Sequence, residues 1–399
     1  MCVWNPSRYR SELGRRCSSS FDFHRDWLLR FVTFNMRTFA LIAATVLVVA
    51  QVPSPALAGP PLEDAKGGDW QTLKLRFDSP APEDNFLGNP IGNGHIGAKI
   101  KGGVGTETIQ LNDKWFWTGG PGFTPPDPKR RLAMEETPRV LAAGDIPAAE
   151  QTAKGMWGSN EMGTFLPLGT LSIAFDHGAE GSSGYARELD LDRAVSTVTC
   201  TVGGVTYTRE AFASFPDDVI VLRVSSNTPG KVSVTAKLAY PVEMQGNGGS
   251  VSADAGATRV MKGRAPANEG WHPEKGMRFE ARLKPVVQGS SASVAVDGSL
   301  RVENADSVVL IFANATSYNG FDKEPGTQGV DPAPRVSKAL DAAAGKSYDE
   351  LLEAHIADHQ SLFRRVWAEV NGEKPNAKVM TFQYARYDMI ATSREQSAL

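Results

Sequence analysis

Apolar and polar positions divide the chain into a long stretch of period-2 alternation and a shorter helical stretch after it. Alternation at every second residue puts one set of side chains on each face of a strand. From 171 to about 315 nearly every segment alternates in this way, including 185–191, 205–210, 219–224, 231–238, 279–283 and 307–313. Gly203-Gly204, Pro216-Asp217-Asp218, Thr228-Pro229-Gly230 and Asp297-Gly298 interrupt the runs with residues that favour turns. Short strands separated by frequent turns predict a large antiparallel β-sandwich. No strand–helix–strand rhythm and no fixed-period repeat is present, which argues against doubly wound, barrel, propeller and solenoid folds.

The stretch 90–121 organises the start of the sandwich. Gly92, Gly94, Gly97, Gly102, Gly103 and Gly105 punctuate two alternating runs, 96–100 and 108–111. Glycine reaches positive φ without steric cost, so the pattern predicts strand, turn and strand, with Gly92-Asn93-Gly94-His95 as the entry turn. Trp115 and Trp117 follow, at alternate positions of an extended segment and so facing one side. Upstream, 72–77 alternates and opens the folded part, and 78–89 reads as loop.

Helical signals occupy two regions. In 122–168, Thr137-Pro138 reads as an N-cap with proline in the first turn, ending at Gly144, and Asp145-Ile146-Pro147 starts a second helix. After 316–346, a Gly/Pro-rich connection holding one short helix, Ser347 and Glu350 form a capping box. Leu351, Leu352, His355, Ile356, His359, Leu362 and Phe363 then recur at helical spacing, in a run reaching about Val370. Another helical run covers 380–392.

The three pieces PIGNGHIGA, IQLND and WTGGP stand in order at 90–98, 109–113 and 117–121. In identity, order and spacing they resemble the amino-terminal domain of glycoside hydrolase family 95, mainly α-L-fucosidases with some α-L-galactosidases. The resemblance covers about residues 70–399. It implies a mainly β fold: a large antiparallel super-β-sandwich, linker helices and the first helix of a truncated (α/α)6 barrel. The domains expected are a sandwich over 70–332 with a helical insertion at 122–168, linker helices over 333–370, and the beginning of the barrel at 371–399. The family's catalytic asparagines, acid and base correspond to sequence beyond Leu399. No catalytic residue is therefore assigned within the chain.

Twelve mostly apolar residues, 39–50, follow Arg37 and precede Ala56-Leu57-Ala58. A positive start, a short apolar run and an A-x-A site make a secretory signal peptide at 36–58, too short to span a membrane. Residues 1–35 then read as an over-extended start and 59–69 as a disordered leader, and the protein is expected to be exported. Removing 1–58 takes away seven of 42 Lys and Arg and three of 45 Asp and Glu, leaving 35 against 42, a formal charge of −7. That balance offers no field for nucleic acid. Cys200 is the one cysteine left and sits in an alternating run, where it reads as a small buried hydrophobe.

Candidate chemistry is sparse. Asn93, His95, Trp115 and Trp117 are candidate substrate-binding residues: the first two at a strand entry, for a sugar hydroxyl, and the indoles for the apolar face of a pyranose. The plainer reading, which the residues favour, makes His95 a turn or interface histidine and buries the indoles under the loop. Trp271-His272 lies in a polar loop that reads as another rim of a binding site. The adjacent carboxylates Glu83-Asp84, Glu135-Glu136 and Asp217-Asp218 read as solvated turn or helix-start charges. His355 and His359 lack the glutamate and third ligand of a zinc motif and read as packing residues. Asn314-Ala315-Thr316 has the form of an N-glycosylation sequon. No metal or cofactor is expected. The resemblance implies inverting hydrolysis of terminal α-L-fucosyl linkages on an oligosaccharide or polysaccharide. The rival reading is a non-catalytic carbohydrate-binding or remnant module. A mutarotase-type sandwich would need a sugar-facing His and Glu pair on neighbouring strands, and none can be placed.

Overall fold

The computed structural model describes residues 68–82, 87–121, 128–156, 163–241, 249–265, 273–369 and 376–394. The signal-peptide stretch, Glu83-Asp84 and Trp271-His272 lie outside them. Sixteen strands are formed among the described residues. The first eight are β1 (Lys74–Phe77), β2 (Asn89–Gly92), β3 (Ile96–Ile100), β4 (Thr106–Asp113), β5 (Gly169–Phe175), β6 (Ser183–Asp190), β7 (Val195–Val202) and β8 (Val205–Ser214). The rest are β9 (Val219–Ser226), β10 (Val232–Ala239), β11 (Ser250–Ala253), β12 (Arg259–Arg264), β13 (Arg278–Gln288), β14 (Ala292–Val294), β15 (Leu300–Ala305) and β16 (Ser307–Thr316). They make a nine-stranded sheet, β1-β6-β7-β8-β9-β16-β13-β12-β11, and a seven-stranded sheet, β14-β15-β10-β5-β4-β3-β2. The predicted sandwich is what forms.

Strand β16 shows why the nine-stranded sheet sits at the centre. All ten of its residues are buried. Val308, Leu310 and Phe312 point into the core between the sheets, with Ile109, Leu111 and Ile173 of the seven-stranded sheet. Val309, Ile311, Ala313 and Ala315 face the other way, into a second core. A strand covered on both faces reads as a near-continuous apolar run, and 308–313 is one. The cover on the outer face is helical, as described next.

Five α-helices are formed among the described residues. Helices α1 (Pro128–Ala142) and α2 (Ile146–Ala153) make the excursion before β5. The expected start at Thr137-Pro138 is corrected: Pro138 lies inside α1, and the Thr137 hydroxyl donates to the Ala133 carbonyl one turn back. The Thr-Pro pair is thus absorbed into a helix that already began at Pro128. Asp145 caps α2 as expected, accepting from Ala148 N at 3.0 Å. Glu135 and Glu136 are solvated as expected, but their position at a turn or helix start is corrected. They sit mid-helix, paired with Arg131 and Arg139 one turn away.

Helix α3 (Pro332–Ala344) is longer than the short one expected. It lays Val336, Leu340 and Ala343 onto β16 and β9. Helix α4 (Tyr348–Phe363) opens with the predicted capping box, Ser347 and Glu350 satisfying each other's backbone N–H, and ends at Phe363. His355 and His359 face the sheet. Their Nε2 atoms bond the Ala194 and Leu191 carbonyls, and their rings stack on Phe212 and Phe363. Burial pushes both down to about 4, so these rings are neutral packing residues. Cys200 is buried as expected.

Helix α5 (Ala377–Thr392), capped by Asn376, docks its end on the glycine-rich turn. Tyr387 Oη donates to the Pro90 carbonyl at 2.6 Å, and Gly94 N to the Ala391 carbonyl at 2.7 Å. A Cβ on Gly92 would lie 2.5 Å from that same carbonyl oxygen. Gly94 has φ +83°, and a Cβ there would lie 2.5 Å from Arg394 Cβ. Both turn glycines are therefore required by close approach, and one also by its conformation. Gly94→Ala is expected to destabilise the fold by roughly 1–3 kcal/mol. A lower urea midpoint at unchanged slope checks this, and an unchanged midpoint would contradict the tight docking.

Candidate functional site

The turn between β2 and β3 is braced by Asn93, which is 2% exposed. Its side-chain oxygen accepts from the backbone N–H groups of His95 (2.9 Å) and Ile96 (2.8 Å). Its amide donates to the Ser214 carbonyl at 3.0 Å and to Asp218 Oδ1 at 3.2 Å. This local geometry holds the His95 ring between two carboxylates. Nδ1 meets Asp218 Oδ1 at 2.8 Å, and Nε2 meets Asp113 Oδ2 at 3.0 Å. Asp113 closes β4 in the seven-stranded sheet, whereas Asp218 lies in the turn between β8 and β9 of the nine-stranded sheet. His95 therefore ties the two sheets together.

Asp113 is fully buried and accepts from two further donors. Trp115 N donates to Oδ1 at 2.7 Å, and Asn314 Nδ2, from β16, donates to Oδ2. Asn314 is itself 3% exposed, so the sequon asparagine is committed to the interior. Burial opposes a charge on His95, but hydrogen bonds and attraction from Asp113 and Asp218 outweigh it and raise its pKa to about 10. At neutral pH the ring is an imidazolium donating from both nitrogens. A sugar hydroxyl would have to displace Asp218, the exposed partner, to reach it.

The reading of Asp217 as a solvated charge is corrected, whereas Asp218 keeps about half of its side chain exposed in the turn and is engaged as well. Asp217 is nearly buried, accepts from Ser214 Oγ at 2.7 Å and pairs with Lys346 at 2.5 Å. Asp218 takes φ +52°, which turns its carboxylate to His95 and Asn93. Neither Asp113 nor Asp218 was recognisable from the sequence as a partner of His95, because the contacts span 18 and 123 residues.

The two tryptophans lie just past this clamp. Lys114 N donates to the His95 carbonyl and Phe116 N to the Asp113 carbonyl, so the aromatic loop leaves β4 in a fixed path. Phe116 points inward, fully buried against Phe279, which turns Trp115 and Trp117 to the opposite side. There they line a cleft of about 530 Å³ with Tyr318, Phe321, Lys114 and Lys323. Trp115 stacks on Tyr318 at 4.2 Å and 9°, and the Trp117 indole N–H donates to the Lys114 carbonyl at 2.7 Å. Trp117 also meets the ring of Phe165 edge-on, at 5.4 Å. The four candidates thus separate into two pairs: Asn93 and His95 hold the turn, and Trp115 and Trp117 form a cleft. Tyr318 and Phe321 were missed because they lie in a Gly/Pro-rich connection with no period to mark them.

No group of side chains among the described residues is arranged to hold a metal ion. No helix among them is long and apolar enough to cross a membrane.

The clamp has a pH signature. An unfolded His95 would titrate near 6.5 and the folded one near 10. The stabilisation is complete below about pH 6.5, declines as the unfolded state loses its proton, and is gone above about pH 10. The stability gap between the protein and His95→Gln should shrink by a few kcal/mol, roughly, between pH 6 and pH 10 in urea unfolding. A gap independent of pH would contradict the charged clamp.

"Alpha-L-fucosidase 2" of Arabidopsis thaliana is 31% identical over 360 residues, 81% of this chain and 42% of that protein. "Probable alpha-fucosidase A" of Aspergillus niger is 28% identical over 361 residues, 81% of this chain and 43% of that protein. The protein of the same name from Aspergillus oryzae is 24% identical over 395 residues, 91% of this chain and 50% of that protein. The chain therefore spans about half the length, or less, of these relatives. The model of the glycosyl hydrolase family 65 N-terminal domain matches residues 75–320, which run from β1 to the end of the sandwich. The resemblance to family 95 amino-terminal domains falls on the same sandwich and is borne out by the α-fucosidase relatives. By that match, over more than half of its length, the chain belongs to the glycosyl hydrolase family 65 N-terminal domain family.

Proposed function

We propose that this chain is the sandwich-bearing part of an exported α-L-fucosidase-type glycoside hydrolase acting on terminal α-L-fucosyl linkages of oligosaccharides or polysaccharides. In this reading the sandwich holds glycan in the Trp115–Trp117 cleft. Bond cleavage falls to the part of the relatives' length that this chain does not span. The α-fucosidase names of the relatives support the substrate class, and the motifs at 90–121 support an inverting reaction through the resemblance that they carry. Export is supported by the apolar run at 39–50 followed by Ala56-Leu57-Ala58.

The observation that carries the division of labour is the placement of carboxylates. Inversion needs an acid and a base on opposite sides of the scissile bond, roughly 6.5–9.5 Å apart, with room for a water between them. The described lining of the aromatic cleft contains no aspartate or glutamate. A second cleft, of about 250 Å³ beside Tyr348 and Arg223, offers Asp349 alone. Asp113 and Asp218 do face each other, but an imidazolium fills the space between them. The same observation favours the second reading, a non-catalytic carbohydrate-binding module.

Purified chain is expected to release no p-nitrophenol from the α-L-fucoside or the α-L-galactoside. Turnover of either would overturn the placement of the catalytic groups. The nucleotide sequence after codon 399 separates the two readings. A frame that continues into barrel-coding sequence supports the glycosidase, and an immediate stop supports the module.

A further inference from the structure

We propose that the cleft between the Trp115 loop and the connection carrying Tyr318 and Phe321 is a subsite for an acidic pyranose, one bearing a carboxylate or a sulfate ester. The inference rests on the reading of this cleft as a glycan site and is independent of fucosidase activity.

Two observations converge on it. First, the aromatic surface is built. The Trp115–Tyr318 stack forms one wall, and Trp117 is pinned by its own N–H to the Lys114 carbonyl while remaining 42% exposed. Phe321 stands 86% exposed at the rim. Rings fixed in orientation yet open to solvent suit the C–H face of a pyranose, which covers apolar surface without asking for hydrogen bonds.

Second, the charge in the cleft has one sign. Its described lining holds Lys114 and Lys323 and no carboxylate. Lys323 shares its charge with Asp322, 2.9 Å away. The Lys114 ammonium lies 4.9 Å from the centre of the Trp115 ring and meets no carboxylate among the described residues. A positive charge beside an aromatic wall offers stacking and an anion contact to one ring at once. A neutral hexose would use the stacking alone.

The test is a titration of the full chain by tryptophan fluorescence with three probes: a neutral gluco-oligosaccharide, an oligogalacturonide and a sulfated galacto-oligosaccharide. At low salt one or both acidic probes should bind about tenfold more tightly than the neutral one, and added salt should erase the difference. Lys114→Met should remove that preference, so that the acidic and neutral probes bind this variant equally, and Trp117→Ala should weaken binding of all three probes. Both side chains are partly exposed, and a far-ultraviolet circular dichroism spectrum confirms folding of each variant. Preference for the uronate, for the sulfate or for both identifies the anion and supports the proposal. Equal binding of neutral and acidic probes overturns it, as does a preference that survives Lys114→Met. Failure of every probe overturns it together with the glycan reading of the cleft, and leaves the fucosidase proposal to its own test.

Discussion

The structure depends on one buried carboxylate, that of Asp113. It closes a strand of the seven-stranded sheet, has no exposure to solvent, and accepts from the His95 ring, the Trp115 backbone and the Asn314 amide of the other sheet. A buried carboxylate is tolerable only when its lone pairs are taken and a counter-charge is close, and removing one partner of such a group typically costs about 3–5 kcal/mol. Asp218 completes the arrangement by holding the far side of the imidazolium. The sandwich core is non-directional and would tolerate small slips of one sheet over the other. The carboxylate–imidazolium–carboxylate bridge fixes their register at this end.

That bridge also sets what surrounds it. On one side the glycine turn presents a surface with no Cβ atoms at Gly92 and Gly94, against which the end of α5 packs. On the other, the chain leaves Asp113 directly into the aromatic loop, with Trp115 N bonded to the carboxylate and Phe116 locked into the core. The tryptophans are therefore displayed from a rigid base. Sites whose residues rest on such fixed elements hold their geometry without ligand, which reduces the ordering cost of binding. In this account the clamp positions and the cleft binds.

Much of the fold could be read in the sequence because its signals are local. Alternation along 219–224 and 307–313, glycines at turns and the Ser347–Glu350 box each involve residues a few positions apart. The site could be read only in part. The tryptophans and the turn histidine were visible as residue types, but the partners that decide their roles come from distant strands. Asp218 looked like one half of a solvated turn until the β8–β9 turn was brought against β3. Pro138 misled for the complementary reason. A Thr-Pro pair is a start signal by itself, yet the helix had already begun at Pro128, more than two turns before it. Tyr318 and Phe321 gave no periodic signal at all, since the connection that carries them is shaped by contacts and not by pattern.

The most direct test of the clamp is the protonation state of the His95 ring, followed by nitrogen-15 and proton resonance of the imidazole through a pH titration. The account predicts two bound ring protons at pH 8, protected from exchange, with deprotonation only near pH 10. A ring that is neutral at pH 8 and titrates near its ordinary 6.5 would contradict the charged bridge, and with it the explanation of how the two sheets and the aromatic loop are held in place.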